Sequence, residues 1–406
     1  MDDPASARAA ACAVLEQLVD AGYESYFAGG CVRDRLMGRD PLDYDIATSA
    51  RPEDVQRVFR HARGVGEAFG VMLVRRGGFT IEVATFRTDG VYADGRHPDT
   101  VVFSDAEHDA SRRDFTINGI FENPLTEEVI DYVGGRRDLE MRVIRAIGDP
   151  AARLREDCLR ALRAVRFAAR FGFAIDGDTA EAIRTHAGTL TGVSRERIGQ
   201  EVRWMLQDTN RAVAAWELQY LGLDASIFGA PNRLAAPRRL GRLPDDAGYA
   251  ATLAAWIIDR GHDDRGAVAD EWAKRLVLSN PEHRGLRRCL EVVRQLEQEW
   301  SRLGVAAQKR LAAGPGFRAG LLVLRADDPQ AFVDVQRRVA VLRETGLAPE
   351  PLLDGADLIE AGFAPGPQFK RLLDAIYDAQ LEGTVTDRSA ALALARAIAA
   401  ADRGRA

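Results

Sequence analysis

The chain has 406 residues, enough for two or three domains, and its 46% hydrophobic and 29% charged residues exclude a disordered or fibrous protein. The formal net charge of −6, from 55 basic and 61 acidic side chains, excludes a nucleic-acid surface spread over the whole chain but leaves a local basic groove open. Only three of the basic residues are lysines. The positive charge therefore comes almost entirely from arginines, whose planar forks suit phosphates and base edges.

The four cysteines lie far apart and form no CxxC pair, which argues against a zinc ribbon or a disulfide framework and predicts a reducing compartment. The N-terminus lacks the charged-then-apolar pattern of a signal peptide. The sequence contains no run of about 18 uncharged apolar residues, the length that would span a membrane. We therefore expect a cytoplasmic protein that uses no membrane, and the sequence indicates no obligate protein partner.

The first third of the chain mixes helices and strands. Residues 5–21 predict a helix, and Gly77-Gly78 predicts a hairpin turn between two β-branched runs. Short strands are predicted at 26–28, 44–48, 71–75, 80–86 and 129–133.

From about Arg137 onward nearly every window has helical spacing, and strand patterns become scarce after Val143-Ile144. The clearest predicted helix covers 154–171. The segment 228–248 contains several prolines and glycines and predicts a linker or a long loop. The predicted fold class is therefore α+β, a head of strands and helices followed by a long all-α remainder.

Two glycines, Gly29 and Gly30, stand between a predicted strand and a predicted helix. Glycines at such a turn let the backbone approach a phosphate, and the helix N-terminus adds hydrogen-bond donors. Arg33 follows in the first turn of that helix and can reach the same anion. A tight turn without a ligand is the alternative.

Asp43 and Asp45 share one face of a predicted strand, because residues two apart on a strand point to the same side. Two carboxylates on one face are costly unless a cation lies between them, and this donor type suits Mg²⁺. Glu82, on the predicted hairpin, is a candidate third ligand. The alternatives are an exposed acidic turn for the pair and an outward-facing strand residue for Glu82.

Two arginine-rich segments follow. Arg112 and Arg113 could hold a triphosphate bidentately, and Asp114 could accept a hydrogen bond from a ribose hydroxyl or orient one arginine. Further along, four charged residues recur every third position and therefore lie near one side of a predicted helix: Asp157, Arg160, Arg163 and Arg166. Three arginines along one stripe repel one another unless an anion neutralises them. A stripe that faces a nucleotide is therefore a coherent alternative to a solvated face with an ion pair.

Six motifs together carry a family resemblance. They are AGGCVRDRLMG at 28–38, DYDIAT at 43–48, RRDFTIN at 112–118, DYVGG at 131–135, EDCLRALRAVRF at 156–167 and ERIGQEVRWML at 196–206. In this order and spacing they resemble the class II tRNA nucleotidyltransferases and bacterial poly(A) polymerases.

The resemblance implies a fold and a domain organisation. It implies a polymerase-β-like nucleotidyltransferase head, with a small mixed sheet and helices, at 1–136. A helical neck that recognises the nucleotide base would follow at 137–210, and a helical body and tail that bind tRNA would occupy 211–406.

The resemblance also implies site residues and substrates. Asp43 and Asp45 would hold the catalytic Mg²⁺, and CTP, ATP and the 3′ end of tRNA would be the substrates. The nucleotide-binding residues would be Gly30, Arg33, Arg113, Asp157, Arg160, Arg163 and Arg166, to which the reasoning from the residues themselves adds Gly29 and Asp114. Asp157 and Arg160 would read the base, because an acceptor beside a donor matches the amino group and ring nitrogen of both cytosine and adenine. Uracil and guanine present the reverse order.

Several activities share these motifs: addition of CCA, addition of CC or A alone, and poly(A) tailing. The segment from Arg87 to Phe103 resembles the flexible loop of CCA-adding enzymes, which counts against CC-only addition. The chain ends without a long basic extension, which ranks poly(A) tailing lower. Outside the family, an inactive RNA-binding module and an HD-type phosphohydrolase at His262-Asp263 are the alternatives.

Overall fold

The computed structural model describes residues 3–65, 70–89, 101–229 and 234–403. Two compact units divide the chain: the first contains residues up to Ala235 together with Arg275–Val277, and the second contains Ala236–Lys274 and the residues from Leu278 onward. In these described ranges, no helix combines the length and the apolar character that crossing a membrane requires.

A mixed sheet forms the centre of the first unit. Its seven strands in the described residues lie in the order β3-β4-β5-β2-β1-β8-β9, and β2 pairs with β5 in parallel while the other neighbours pair antiparallel. Two smaller pairs, β6 with β7 and β10 with β11, lie outside it. The strands are β1 Ser25–Ala28, β2 Asp45–Thr48, β3 Arg63–Gly64, β4 Val71–Arg76, β5 Phe79–Thr85, β6 Arg87–Asp89, β7 Val101–Phe103, β8 Ile120–Asn123, β9 Glu128–Asp131, β10 Val143–Ile144 and β11 Ala174–Ile175.

Helices cover the sheet and then extend the first unit. They are α1 Pro4–Asp20, α2 Gly30–Leu36, α3 Pro52–Val58, α4 Ala106–Ser111, α5 Gly135–Met141, α6 Pro150–Glu156, α7 Leu159–Phe171, α8 Gly177–His186, α9 Arg195–Gln207, α10 Arg211–Tyr220 and α11 Leu223–Phe228. Leu15 and Leu18 of α1 pack with Phe27 and Ile46 of the sheet in one core cluster. Phe86 and Phe121 pack with Ala110 of α4 in another. The α+β prediction for the head is confirmed.

The predicted helix over 154–171 is wrong at one point. Helix α6 ends at Glu156 and α7 begins at Leu159, so Asp157 lies in extended backbone with φ −149° and ψ 102°. The Asp157 Oδ1 atom accepts a hydrogen bond from the Leu159 backbone N–H at 3.0 Å. This bond satisfies a donor at the start of α7, and a carboxylate in that position favours a new helix start over continuation of α6.

The second unit consists of helices, which confirms the predicted all-α remainder. They are α12 Arg238–Arg242, α13 Tyr249–Asp259, α14 Arg265–Arg275, α15 Asn280–Gln298, α16 Val305–Ala313, α17 Phe317–Asp327, α18 Pro329–Glu344, α19 Gly355–Glu360, α20 Gln368–Leu381 and α21 Arg388–Arg403. Val292, Phe317 and Val335 belong to one core cluster of α15, α17 and α18, and Leu358 and Leu372 belong to a second cluster of α19 to α21.

The predicted loop over 228–248 contains a helix, α12. The Asp259 carboxylate accepts hydrogen bonds from the backbone N–H groups of Arg239 and Leu240, both at 3.1 Å. A side chain from α13 thus satisfies the first turn of α12. This stabilisation comes from a residue far along the chain, so the prolines and glycines of the segment gave no indication of it.

The turn after β9 depends on a glycine without space for a side chain. The Asp131 carboxylate accepts hydrogen bonds from the N–H groups of Val133, Gly135 and Arg136 at 3.0–3.2 Å. A Cβ atom on Gly135 would lie 2.1 Å from the carbonyl oxygen of Thr116. Because that oxygen belongs to the backbone, it cannot move aside cheaply.

We predict that Gly135→Ala lowers the free energy of unfolding by about 1–3 kcal/mol, the usual cost of overpacking. Urea titration measures the change. Gly177→Ala is the matched control, since nothing lies within 4 Å of a Cβ atom at that helix start. Equal stability of the two variants would show that the contact with Thr116 relaxes without cost.

Candidate functional site

A cleft of about 610 Å³ in the first unit collects the predicted site residues. Every predicted residue lines it except Asp43. The polar lining in the described residues consists of Gly29, Gly30, Arg33, Asp45, Glu82, Arg87, Arg112, Arg113, Asp114, Asn118, Asp157, Arg160, Arg163, Arg166 and Arg170. Eight arginines and four carboxylates thus share one concave surface, and such a surface favours a highly charged anion such as a polyphosphate.

The acidic side of the cleft comes from two strands. Asp45 opens β2 and lies in parallel register with Glu82 of β5. Solvent reaches Asp45, but protein surrounds its carboxyl on most sides. This desolvation raises the pKa of Asp45 to about 6, together with the charge of Glu82 and, more weakly, that of Asp43, while Arg113 partly opposes them. The raised pKa marks a place where negative charge is costly and a cation would be stabilised.

Asp43 does not lie on a strand, so the prediction that it shares a strand face with Asp45 is wrong. Strand β2 begins at Asp45, so Asp43 stands in the exposed segment just before it. Between the two, Tyr44 is buried and its ring centroid lies 5.0 Å from that of Phe27. In the residues that the structure describes, no three His, Cys, Asp or Glu side chains form a group that could hold a metal ion. A cation at Asp45 would therefore need further oxygen ligands from a substrate or from water.

The glycine turn brings backbone and arginines together. Gly29 has φ 71° and ψ −123°, and a Cβ atom there would lie 3.0 Å from Nη1 of Arg113. Helix α2 begins at the next residue, Gly30. Arg33 is buried: its Nη1 donates to Oδ1 of Asn118 at 2.6 Å and its Nε donates to Oδ1 of Asp34 at 2.8 Å. The turn therefore lies beside Arg33 and Arg113, whose side chains are held in place by hydrogen bonds to other residues.

Asp109, which the sequence analysis missed, holds the two adjacent arginines. It is 1% exposed, its Oδ1 accepts from Nε of Arg112 at 2.8 Å, and its Oδ2 accepts from Nη2 of Arg113 at 3.0 Å. Burial alone would raise the pKa of Asp109, but the charges of Arg113 and Arg112 outweigh it and the pKa is lowered. The carboxylate is therefore ionised and orients both forks. Its spacing of three and four residues from them on a helix was the available signal.

Asp114 orients an arginine, which was one of its two predicted roles. Its Oδ2 accepts from Nε of Arg163 at 2.8 Å, and its Oδ1 accepts from Nδ2 of Asn118 at 2.9 Å. Burial opposes ionisation, yet Arg163 and these hydrogen bonds lower the pKa of Asp114 to about 2. Asn118, which also binds Arg33, connects the glycine turn to the arginine stripe. Although it lies inside the RRDFTIN motif, the sequence analysis gave it no role.

The protein itself supplies the anions between the arginines of α7. Arg160 donates to Oε2 of Glu156 at 2.5 Å, Arg163 pairs with Asp114, and Nε of Arg166 donates to Oε2 of the buried Glu201 at 2.7 Å. The stripe therefore needs no ligand to neutralise it, and its role in nucleotide binding stays a prediction. Each fork is instead positioned by a carboxylate and still lines the cleft.

Asp157 and Arg160 lie at the junction of α6 and α7. Oδ2 of Asp157 accepts from Nη2 of Arg197 at 2.5 Å. Arg160 donates to the carbonyl oxygens of Arg153 at 3.0 Å and Arg112 at 3.3 Å. Both side chains are therefore fixed in direction. Arg197 belongs to the ERIGQEVRWML motif, but its partner could not be derived from spacing.

The alternative site at His262-Asp263 lies on a separate concave surface in the second unit. No group of metal-binding side chains forms there among the residues described. The structure thus offers no support for a phosphohydrolase centre.

Two domain families match the sequence. The family described as poly A polymerase head domain matches residues 25–145, and the one described as probable RNA and SrmB-binding site of polymerase A matches residues 172–231. A CCA-adding enzyme of Lactobacillus delbrueckii subsp. bulgaricus is 34% identical, over 94% of this chain and 95% of the relative. One from Geobacillus kaustophilus is 36% identical, over 92% and 93%.

Solved structures that resemble this chain are also CCA-adding enzymes. The Bacillus stearothermophilus CCA-adding enzyme in complex with CTP has a TM-score of 0.82 and 29% identity, with all of both chains covered. The Thermotoga maritima CCA-adding enzyme complexed with tRNA has a TM-score of 0.68 and 22% identity, over 95% and 93% of the two chains, and supports the fold alone. With a relative that is 34% identical and covered almost from end to end, the chain belongs to the CCA-adding enzymes, nucleotidyltransferases built on the poly(A) polymerase head domain.

Proposed function

We propose that this chain adds CCA to the 3′ end of tRNA. The tRNA 3′-hydroxyl would attack the α-phosphorus of CTP or ATP, and pyrophosphate would leave. One observation carries the proposal: a single cleft holds the strand carboxylates, the glycine turn and the oriented arginines. A relative that this chain covers completely binds CTP, which supports the same conclusion. These substrates also favour the cytoplasm as the site of action.

Enzymes of this family use a divalent metal ion, and we propose Mg²⁺ for this chain. Asp43 and Asp45 would hold it, with Glu82 as a further candidate ligand. Their hard oxygen atoms fit Mg²⁺, which typically binds through one or two carboxylates plus substrate phosphates. When bound, the ion activates the attacking hydroxyl and screens the charge of the triphosphate.

The arginines and the glycine turn would bind the triphosphate. Gly29 and Gly30 offer a backbone surface without side chains, and Arg33 and Arg113 lie beside it. Because their carboxylate and amide partners already fix the two forks, little reorganisation accompanies binding. Asp114 would act through Arg163, which it orients, rather than by touching the nucleotide.

Asp157 and Arg160 would select the base. The Asp157 carboxylate would accept from the exocyclic amino group of cytosine or adenine, and Arg160 would donate to the neighbouring ring nitrogen. Uracil and guanine would place a carbonyl oxygen against the Asp157 carboxylate and a ring N–H against Arg160, and each of these mismatches would cost about 1–3 kcal/mol. The existing bonds of both side chains to the protein support a rigid selection of this kind.

One experiment distinguishes full CCA addition from the alternative activities, which are addition of CC or A alone and poly(A) tailing. The loop argument for full CCA addition depends largely on residues 90–100, which lie outside the described residues. We would incubate the protein with tRNA transcripts that end before CCA, after C, after CC and after CCA, with CTP, ATP or both. With CTP and ATP together, full CCA addition predicts products that all end at CCA, and with CTP alone it predicts products that stop at CC. With both nucleotides present, products that stop at CC, A addition alone, or long A tails would each overturn it.

We predict that Asp45→Asn lowers CTP incorporation more than about a hundredfold, because the metal interaction supplies several kcal/mol and each 1.36 kcal/mol is a factor of ten. Steady-state rates with varied Mg²⁺ measure the change. Asp40→Asn, an exposed carboxylate before β2, is the matched control and should keep the parent rate. Near-normal turnover of a folded Asp45→Asn protein would contradict the assignment.

We predict that Asp157→Ala lowers the preference for CTP over UTP about tenfold to a hundredfold, since a charged hydrogen bond contributes about 1.5–3 kcal/mol. Competition assays with all four nucleotides measure the preference. Asp157→Ser serves as the control for capping, because serine also starts helices well but cannot supply the charge. If either variant lost activity but kept the parent's ratio of CTP to UTP, Asp157 would only shape the helix junction.

We predict that Asp109→Asn raises the KM for CTP at least about tenfold, because Arg112 and Arg113 lose the charge that orients both forks. The protein should stay folded, since asparagine keeps the volume and one acceptor. Asp105→Asn, at the exposed start of the same helix, is the matched control. An unchanged KM for CTP with a lowered melting temperature would make Asp109 purely structural.

A further inference from the structure

A second concave surface of the first unit adjoins the cleft on the far side of Phe171. We call it the Phe171 basin: its volume is about 570 Å³, its floor includes Phe171 and Phe173, and its rim includes Arg39, Arg136 and Arg142. No predicted site residue lines it. The phenyl floor and the basic rim together suit a ligand that carries both a flat apolar group and negative charge.

The charge of the basin differs from that of the cleft. In the described part of the chain, the side chains of Arg39, Arg136 and Arg142 form no ion pair, and all three are exposed. Glu140 is the one carboxylate on the rim. The cleft arginines, in contrast, are held by Asp109, Asp114 and Glu201, as described above. The basin thus keeps a surplus of positive charge, three arginines against one carboxylate, at an exposed surface where long side chains can follow a flexible ligand.

Phe171 connects the two concave surfaces. Its ring centroid lies 4.7 Å from the guanidinium carbon of Arg33 and 5.5 Å from that of Arg170, both of which line the cleft. On the basin side, the guanidinium carbon of Arg39 lies 5.3 Å from the same centroid. The ring also stacks on Phe167, at 5.8 Å and an interplanar angle of 4°. Arginines of the cleft and of the basin therefore contact the same ring, and together they extend positive charge from one concave surface to the other.

We propose that the Phe171 basin binds the RNA strand next to its reacting 3′ end, with phosphates on the arginine rim and a base on the phenyl floor. The inference rests on the proposed function, which requires an RNA 3′-hydroxyl in the cleft. A single nucleotide would occupy the cleft alone, whereas a chain of phosphodiesters extends beyond it and needs a continuous positive surface. The continuity across Phe171 therefore favours an RNA strand over a free nucleotide as the occupant.

The test uses the double variant Arg39→Gln with Arg136→Gln in the full chain and a tRNA transcript that lacks CCA. Affinity for this transcript should fall roughly three- to tenfold. The negative slope of log affinity against log salt should become shallower by about 1.4, since each of the two lost phosphate contacts contributes about 0.7 on a single strand. The KM for tRNA should rise in parallel, while the KM for CTP should stay within about twofold of the parent.

The control variant is Arg57→Gln with Arg76→Gln, which removes the same charge from exposed positions of the same unit. It should keep the parent's affinity and salt slope. Equal effects of the two double variants would overturn the proposal, because net charge would then explain the loss. A raised KM for CTP with unchanged tRNA affinity would overturn it in favour of a nucleotide site.

Failure of the proposed function gives a different result. In that case the parent protein itself extends no tRNA with CTP or ATP, whatever the variants do. If the parent extends tRNA and the basin variant matches it in affinity, salt slope and KM, the function stands and the basin assignment is wrong.

Discussion

The repulsion among arginines gathered around one cleft is the constraint on which the rest of this structure depends. Eight of them line the cleft, in surroundings where water screens their charges less than in bulk solvent. The fold places Asp109, Asp114 and Glu201 among them, each hydrogen-bonded to one or two guanidinium groups. The positive field is therefore fixed in shape before a substrate arrives, which is the arrangement that stabilises developing charge at low cost.

These carboxylates also join parts of the fold. Asp109 lies on α4, Asp114 precedes β8, and Glu201 lies on α9, whereas Arg163 and Arg166 extend from α7. The sheet and the helices that follow it are thus connected through ion pairs at the cleft itself. Substitutions within such a network act on shared partners, so their effects are not expected to add.

Negative charge is concentrated in the same way on the opposite side. The parallel pairing of β2 with β5 places Asp45 beside Glu82, and burial of the Asp45 carboxyl, together with the charge of Glu82, raises the pKa of Asp45 to about 6. A cation would neutralise the carboxylates on this side, and a polyphosphate would neutralise the arginines on the other. This division is what phosphoryl-type transfer requires, since the protein contributes mainly position and electrostatics.

The sequence by itself determined the α+β head followed by helices, five strands of the head, the glycine turn at Gly29-Gly30 and most residues of the cleft, because alternation, helical spacing and motifs are local signals. Only the tertiary structure decided that a new helix starts after Asp157, that Asp259 caps α12, and that Glu201 neutralises Arg166. The contacts of Asp259 and Glu201 join residues that are far apart in the chain. The helix start after Asp157 interrupts a segment whose spacing favours one continuous helix. Their energies depend on distance and burial, which exist only once the elements have packed together.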